Sequence, residues 1–315
     1  MSITRSVGLK GMCGTLNRKD IWTMEYVITG NDIRKKFKGF VLDIPQLQVP
    51  QGFATALIGE NGAGKTTLLN LLGGIRQDYQ GQIQYFAQKA GIDDAGIRDR
   101  IGYTGPGSYY LPHWTVKQVE DANRLLFARF RPDAYKNLCR NLAIPMDAGK
   151  EARNLSDGNR MKLMLAAVLS RDTELLILDE PASPLDPLMR DKLCDLIREY
   201  LVSQEGERSV FFSTHNVADM ENVTDYAIIM EQGRIVEQGF VEDLKEKYML
   251  VKGDAEYANQ TSSILVTQTR NRFGFEGICE AEKLDRLAGM NVAVETPTLS
   301  QICVAVMKAH SQLKF

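Results

Sequence analysis

The stretch that decides the fold is Leu57-Ile58-Gly59-Glu60-Asn61-Gly62-Ala63-Gly64-Lys65-Thr66-Thr67. It fits the phosphate-loop pattern G-x-x-x-x-G-K-[ST] without a gap. Residues 54–58 before it are short and apolar like a buried strand, and residues 66–72 continue as a helix with leucines on one face. Glycines let the backbone wrap a phosphate, and the following helix N-terminus supplies amides and partial positive charge. The stretch therefore predicts a nucleoside triphosphate site, with Gly59, Asn61, Gly62, Ala63, Gly64, Lys65, Thr66 and Thr67 as its binding residues.

Two side chains of this loop carry the expected chemistry. Lys65 is expected to neutralise the β- and γ-phosphates, and the Thr66 hydroxyl is expected to ligate Mg²⁺. A nucleoside triphosphate and Mg²⁺ are thus the predicted ligands of this loop. The competing interpretation, a glycine turn before an ordinary helix, depends on what the rest of the chain contains.

The bulk composition limits the class of protein. The chain has 315 residues, 44% of them hydrophobic and 25% charged, which is enough for one large domain and a smaller one. No apolar run approaches the about 18 to 20 residues of a bilayer-spanning helix, and residues 1–23 lack the apolar core of a signal peptide. We therefore expect a cytoplasmic protein with a flexible extension over residues 1–23. The net charge of -2 predicts no nucleic-acid partner, and five widely spaced cysteines predict neither disulfides nor a zinc site.

Polar groups follow two further apolar runs. Residues 174–178 read as a buried strand that ends in Asp179 and Glu180, and residues 209–214 read as a strand that ends at His215. Carboxylates at the carboxyl end of a strand, in a chain with a phosphate loop, are suitable ligands for Mg²⁺. A solvated strand end and a structural histidine remain the alternatives.

Two other segments permit two interpretations each. Phe37 lies in the basic segment 34–38, where its ring either stacks on adenine or packs on its own sheet as a loop aromatic. The stretch Leu155–Asn159 precedes a helix expected over residues 160–169, and its Ser, Asp and Asn residues are all capping types. Capping alone would explain that stretch.

The remaining pattern predicts the arrangement of elements around the loop. Short strands are expected at 25–29, 41–44 and 47–49, a mostly helical segment at 115–144, and a strand pair followed by a helix over 227–248. The tail is expected to contain strands at 264–266 and 291–294, a short helix near 281–287, and a last helix opened by a capping box at 298–301. These elements together predict an α/β fold.

With these pieces in order, residues 25–248 resemble the ATP-binding subunit of an ABC transporter. Residues 59–67 match the Walker A loop, 155–159 the signature LSGGQ, 175–180 Walker B, 183–186 the D-loop, and His215 the switch histidine. The resemblance implies a P-loop NTPase fold of ABC type with an antiparallel β lead-in subdomain, a helical subdomain over about 104–170 and a small C-terminal α/β appendage. The expected domains are the ATP-binding domain, 24–248, and the appendage, 249–315.

The resemblance also implies partners and residue roles. ATP would lie between the Walker motifs of one subunit and the signature of a second ATP-binding subunit, in a homo- or heterodimer that powers a separately encoded membrane-spanning subunit on the inner face of the membrane. Asp179 would organise Mg²⁺, Glu180 would act as general base, and His215 would hold the γ-phosphate. The remaining implied nucleotide-binding residues are Phe37 at the adenine, Ser156 and Gly158 at the γ-phosphate across the dimer, and Asp186 of the D-loop.

The chain departs from the family pattern at two places. Asp157 and Asn159 replace a glycine and a glutamine of the signature, and Gly105-Pro106 stands where the family has its Q-loop glutamine. A carboxylate near a triphosphate is repulsive unless it turns outward at its helix N-terminus. The aromatic segment Tyr109–Trp114 follows directly and is expected to dock the membrane subunit, with core packing as the alternative.

Three functions follow from the resemblance. An ATPase subunit that powers a separately encoded membrane exporter is favoured, because the ATPase motifs are present and no apolar run is long enough to span a membrane. The end of the chain loosely resembles the tails of bacterial exporter ATPases of the drug, lantibiotic and peptide type. A cytosolic ABC ATPase acting on ribosomes or nucleic acid is the alternative, although neither a second cassette nor a long coiled-coil insertion is present. A binding module with an inactive site is disfavoured by intact Lys65, Asp179, Glu180 and His215.

Overall fold

The computed structural model describes residues 24–88, 91–105, 110–145, 151–203 and 207–311. Its strands are β1 (Tyr26–Phe37), β2 (Phe40–Pro50), β3 (Ala54–Ile58), β4 (Gln80–Tyr85), β5 (Ile101–Thr104), β6 (Leu175–Leu178), β7 (Ser209–Thr214), β8 (Tyr226–Glu231), β9 (Arg234–Phe240), β10 (Tyr248–Asp254), β11 (Thr267–Arg270), β12 (Gly274–Glu280) and β13 (Val292–Glu295). Its helices are α1 (Lys65–Leu72), α2 (Ala95–Asp99), α3 (Val116–Leu126), α4 (Pro132–Asn141), α5 (Asp157–Leu169), α6 (Pro187–Val202), α7 (Val241–Lys247), α8 (Ala258–Thr261) and α9 (Leu299–His310). The expected extension over 1–23 lies outside the described residues.

A six-stranded sheet in the order β5-β6-β7-β3-β8-β9 forms the centre of the molecule. Neighbouring strands run parallel except β9, which is antiparallel to β8. Every residue of β3, β6 and β7 is buried. Burial on both faces explains why β3 and β6 are almost continuously apolar, whereas β7 combines Val and Phe with buried Ser and Thr. Because parallel strands end at one edge of the sheet, the loops after β3, β6 and β7 lie at the same edge.

The lead-in is a three-stranded antiparallel sheet in the order β2-β1-β4, as expected. The prediction of two strands at 41–44 and 47–49 was wrong, because the single strand β2 continues through Pro45. An edge strand tolerates a proline, since one side of its backbone needs no ladder partner. One of the two interpretations placed Phe37 in a loop, but it is the last residue of β1, paired with Phe40 across the turn.

Helices α3, α4 and α5 form the expected helical part around a core of its own, which includes Val119, Tyr135 and Leu163. Tyr135 is fully buried and its hydroxyl donates to the Val116 carbonyl at 3.0 Å. The signature helix α5 begins at Asp157, three residues before the predicted start, because Ser156 is its N-cap. The helical part thus packs beside the central sheet through α5.

The aromatic segment divides into two groups, and Tyr109 lies outside the described residues. The rings of Tyr110 and Trp114 stack at 6.4 Å and pack against the core of the helical part, so the docking expectation was wrong for these two side chains. Their large apolar surfaces are covered by the fold itself. Leu111, Pro112 and His113 between them are exposed.

The C-terminal residues form a four-stranded antiparallel sheet in the order β11-β12-β10-β13. The strand predicted at 264–266 was wrong, because β11 begins at Thr267 after a turn, whereas β13 confirms the strand predicted at 291–294. The segment near 281–287 is a 3-10 helix. The capping box of Thr298 and Gln301 opens α9 as predicted.

Helix α9 packs onto the central sheet. Its buried residues share one apolar cluster with Ala227 and Ile229 of the central sheet and with Val217, which follows β7. The Leu299 amide at its start donates to Glu221 Oε1 at 2.9 Å, just beyond β7. The last helix therefore completes the core of the central sheet.

Candidate active site

The loop after β3 has the backbone that a phosphate-binding loop requires. Gly62 and Gly64 adopt φ values of 90° and 106°, in the left-handed region that side chains with a Cβ avoid. A Cβ at Gly59 would lie 2.4 Å from the Met230 carbonyl oxygen, so only glycine fits beneath the loop. The glycines of the motif are thus explained by backbone shape and close packing.

Ala63 anchors the centre of this loop. Its side chain is buried, its amide donates to the Glu60 carbonyl at 3.1 Å, and its carbonyl accepts from the Gly233 amide at 2.9 Å. The turn between β8 and β9 therefore supports the loop from below.

A pocket of about 280 Å³ opens above the loop. It brings together residues of three separate parts of the chain: the end of the lead-in sheet, the loop with the first turn of α1, and the loop after β6. Its lining comprises Phe37, Phe40, Asn61, Gly62, Gly64, Lys65, Thr66, Thr67 and Glu180.

Lys65 supplies the positive charge of this pocket. Its side chain is buried, and its Nζ donates to the carbonyls of Gly59 at 2.8 Å and Glu60 at 3.2 Å. The same nitrogen lies 3.4 Å from Glu180 Oε1. Charge-assisted contacts of this kind are stronger than neutral hydrogen bonds, so the lysine is held at the base of the pocket.

Asp179 and Glu180 follow β6, and Ser213 on the neighbouring β7 connects them. The Ser213 hydroxyl donates to Asp179 Oδ1 and accepts from the Glu180 amide at 2.9 Å. Asp179 Oδ2 is buried and has no hydrogen-bond partner in the described part of the chain. Burial raises the pKa of Asp179, and contacts with Ser213 and Thr66 oppose that rise.

Glu180 has an unusual backbone and two charged neighbours. Its φ is 50°, a left-handed conformation that is strained for a residue with a Cβ. Its Oε1 lies near Lys65, and its Oε2 lies 2.7 Å from His215 Nδ1. The structure therefore brings together the histidine and the carboxylate that the sequence separates by 35 residues.

Phe37 lies at the rim of the pocket and is 38% exposed. Lys35 Nζ and the Arg76 guanidinium lie 5.0 Å and 5.7 Å from its ring centroid. Lys35 in turn donates to the Asp78 carbonyl at 2.8 Å and to its carboxylate, which lowers the pKa of Asp78. Cations near the ring face and edge leave part of the ring free for a planar ligand.

The predicted signature residues form a second pocket and do not reach the first. This pocket is about 430 Å³, and Ser156, Asp157, Gly158, Asn159, Lys162, Pro184, Leu185 and Asp186 line it. Asp157 is 80% exposed and pairs with Arg160 one turn along α5, so its carboxylate turns outward. A Cβ at Gly158 would lie 2.9 Å from the Pro184 carbonyl, which explains the glycine.

Sequence reasoning missed Ser213 and Phe40. Ser213 lies two residues before His215 on a buried strand, and a polar residue buried at that position was an available signal. Phe40 lines the pocket with its ring 6.1 Å from that of Phe37, and it limits Gly64, where a Cβ would lie 2.8 Å from its ring. Both contacts depend on strand pairing that the sequence alone did not reveal.

Comparison with known proteins decides the family. A model of the ABC transporter family matches residues 42–183. An uncharacterised ABC transporter ATP-binding protein of Nostoc sp. is 31% identical over 231 residues, 69% of this chain and 68% of that protein. The thiamine import ATP-binding protein ThiQ of Haemophilus ducreyi is 33% identical over 194 residues, 60% of this chain and 89% of that protein. This chain belongs to the ABC transporter ATP-binding proteins.

A solved ATP-binding cassette, dimeric in a post-hydrolysis state with ADP and Pi bound, has the same fold. Its TM-score is 0.59 at 18% identity, over 68% of this chain and 98% of that one. The family assignment makes this protein an ATP-binding subunit that energises a transporter by ATP hydrolysis. The solved cassette is dimeric, and another solved chain of this fold, from Clostridium perfringens, is part of an ABC transporter complex. In the described ranges, no helix combines the length and the apolar content that crossing a bilayer requires.

Proposed function

We propose that ATP and Mg²⁺ occupy the pocket above the loop after β3, and that Glu180 is the general base for hydrolysis. The observation that carries this proposal is the placement of Lys65, Thr66 and Glu180 around one pocket, with His215 against Glu180. A general base needs a position within hydrogen-bond reach of a water near the γ-phosphate. Glu180 lies at the wall opposite the loop and fits that role.

Mg²⁺ fits a donor set of two residues: Thr66, which lines the pocket, and Asp179, which is buried beside Thr66 and does not itself line the pocket. The partnerless Oδ2 of buried Asp179 and the Thr66 hydroxyl offer oxygen donors, and the metal supplies neutralisation of the phosphate charge when bound. In the ranges that the structure covers, no group of three or more His, Cys, Asp or Glu side chains could hold a metal ion by itself. That donor set suits Mg²⁺, which takes one or two protein oxygens and completes its shell with phosphates and waters.

The adenine and the second subunit complete the proposed site. Phe37 offers an exposed ring face at the rim of the pocket. The pocket of Ser156, Gly158 and Asp186 would receive the triphosphate bound to a second ATP-binding subunit, in a homo- or heterodimer. Its N-capping Ser156 and the free amides at the start of α5 favour an anion.

The test compares Glu180→Gln with Glu242→Gln. The first variant keeps the shape and a hydrogen bond toward His215 while removing the base, so we expect turnover to fall by about 10²- to 10⁴-fold with ATP affinity retained. Glu242 is an 85% exposed carboxylate on α7, and its variant should hydrolyse ATP at the wild-type rate. Undiminished hydrolysis by Glu180→Gln would reject the general-base assignment.

We also propose the chain's place in a transporter. Residues 24–248 would form the ATP-binding domain and residues 249–315 the appendage, whose last helix α9 packs into the core of the central sheet. The protein would act on the cytoplasmic face of a membrane-spanning subunit. Exposed Leu111, Pro112 and His113 beside the helical part offer a surface for that subunit. Co-purification from native membranes tests this assignment, and a triple change of these residues to serine should abolish it.

For the direction of transport we propose export, supported by the likeness of the tail to exporter ATPases. ThiQ, which is named for thiamine import, favours the opposite direction. Vesicles carrying the co-purified membrane subunit distinguish the two, because ATP on the side of this subunit should drive the cargo away from that side. Movement of the cargo toward that side would reject export.

A further inference from the structure

Arg190 connects the loop after β6 with the loop after β7. It lies in the first turns of α6, where its Nε donates to the Leu185 carbonyl at 2.9 Å and its Nη1 donates to Asp219 Oδ1 at 2.8 Å. The two charged side chains are 29% and 17% exposed. A half-buried, charge-assisted pair is geometrically more restrictive than a surface ion pair, because the planar guanidinium fixes both bonds at once.

Asp219 continues this connection to the histidine. Its Oδ2 accepts from Asn216 Nδ2 at 2.8 Å, and its amide donates to the Asn216 carbonyl at 3.3 Å. Asn216 directly follows His215, whose Nδ1 lies 2.7 Å from Glu180 Oε2. The contacts therefore lead from Arg190 to the carboxylate proposed as general base.

A second route joins the same two ends through the backbone. The Ser183 amide donates to the Glu180 carbonyl at 3.2 Å, and the Leu185 amide donates to the Ala182 carbonyl at 3.1 Å. Because the Arg190 guanidinium donates to the Leu185 carbonyl, this backbone route and the route through Asp219 together form a closed ring of contacts. Its members in order are Glu180, the loop 181–185, Arg190, Asp219, Asn216 and His215.

The loop in this ring also forms a wall of the second pocket. Pro184 and Leu185 line that pocket opposite Ser156 and Gly158. The carbonyl that Arg190 holds thus belongs to a residue in contact with the pocket proposed to receive the second subunit's triphosphate. A displacement of Leu185 would be carried to Asp219 by a rigid group, with no flexible chain between them.

We propose that Arg190 and Asp219 are positioning residues that keep His215 and Glu180 in their hydrolytic arrangement when the second pocket is occupied. This inference rests on the proposed function. The pair acts through His215 and does not touch the nucleotide. Its loss should therefore slow turnover without weakening ATP binding to the first pocket.

Asp219→Asn and Arg190→Lys test the pair with little change of volume. The first keeps an oxygen for Asn216 but removes the charge, and the second keeps the charge but cannot reach both acceptors. Each should lower kcat by about tenfold or more, while KM and the calorimetric Kd for ATP stay within about twofold. The double variant should lose no more turnover than the worse single variant, because both remove one connection.

Asp195→Asn is the matched control, because it breaks an exposed ion pair to Arg198 on the same helix. It should leave kcat unchanged. Wild-type kcat in Asp219→Asn, a parallel loss of ATP affinity, or independent losses in the double variant would each overturn the inference. Glu180→Gln separates this outcome from the proposed function: if it abolishes turnover while Asp219→Asn does not, only the positioning role fails.

Discussion

Ile302→Ala in α9 tests whether the last helix belongs to the core of the ATP-binding domain. Ile302 is fully buried and belongs to the apolar cluster that includes Val217, Met220 and Ile229. The substitution removes three carbon atoms from a site that the central sheet holds rigidly. The perturbation therefore acts on the contact between the chain's last helix and the sheet that carries the phosphate loop.

The magnitude follows from burial. Truncating a fully buried isoleucine to alanine costs about 2 to 5 kcal/mol, and a few tenths are returned because alanine is the better helix former. A net loss of about 3 kcal/mol lowers the melting temperature by about 6 to 12 °C in a domain of this size. Val304→Ala, on the same helix but 44% exposed, gains the same helix propensity and loses little packing, so its melting temperature should stay near that of the wild type.

Thermal unfolding followed by circular dichroism, with and without ATP, measures this difference. A single transition shifted in Ile302→Ala, with ATP raising the melting temperature of both variants, would match the packing described above. If Ile302→Ala melted with Val304→Ala, or if only a separate transition that ATP does not affect moved, the helix would not belong to the ATP-binding core.

Four further outcomes are expected. Lys65→Ala should weaken ATP binding by about 10- to 100-fold in calorimetry, because it removes a charge-assisted contact to phosphate; unchanged affinity would contradict this. Asp157→Gly should raise ATPase activity by no more than about twofold, because Asp157 lines the second pocket but its carboxylate turns outward to Arg160; a larger rise or a lower rate would reject that account. Asp225→Asn should raise the melting temperature at pH 7, by an amount that shrinks toward acidic pH. Burial raises the pKa of Asp225, so the folded chain holds this proton more tightly than the unfolded chain does. The wild type therefore loses stability as pH rises from the pKa of Asp225 in the unfolded chain to its higher pKa in the folded chain. A difference in melting temperature that does not change with pH would contradict this expectation. Trp114→Ala should lower the free energy of unfolding, measured by chemical denaturation, by about 1.5 to 3 kcal/mol, because the ring packs on the core of the helical part. An unchanged denaturation midpoint would show that Trp114 adds no packing energy to that core.

The sequence predicted best those features that lie close together in the chain. The helix that follows the glycines of the loop and the capping box of Thr298 depend on neighbours a few residues away, and both lie within one residue of where the sequence predicted them. The buried strands β3 and β6 were recognisable because parallel strands covered on both faces are almost continuously apolar, and β7 was recognisable from the apolar run at its centre, 210–212.

The features that were missed depend on distant pairing. The sequence predicted two strands at 41–44 and 47–49 where β2 is continuous, and it left open whether Phe37, the last residue of β1, lies in a loop. Arg190 and Asp219 meet across 29 residues, and Ser213 meets Asp179 across 34. No local pattern encodes such contacts, because they are set by the order of strands in the sheet.

The left-handed backbone of Glu180 limits which residues can replace it without a change in stability. A residue with a Cβ at φ 50° costs the folded state about 1 to 3 kcal/mol, whereas glycine occupies that conformation without strain. Glycine would relieve this strain, but it would also leave the buried Lys65 ammonium without its carboxylate neighbour. Position 180 therefore sets backbone strain against an ion pair, and a stabilising change there has to keep the negative charge.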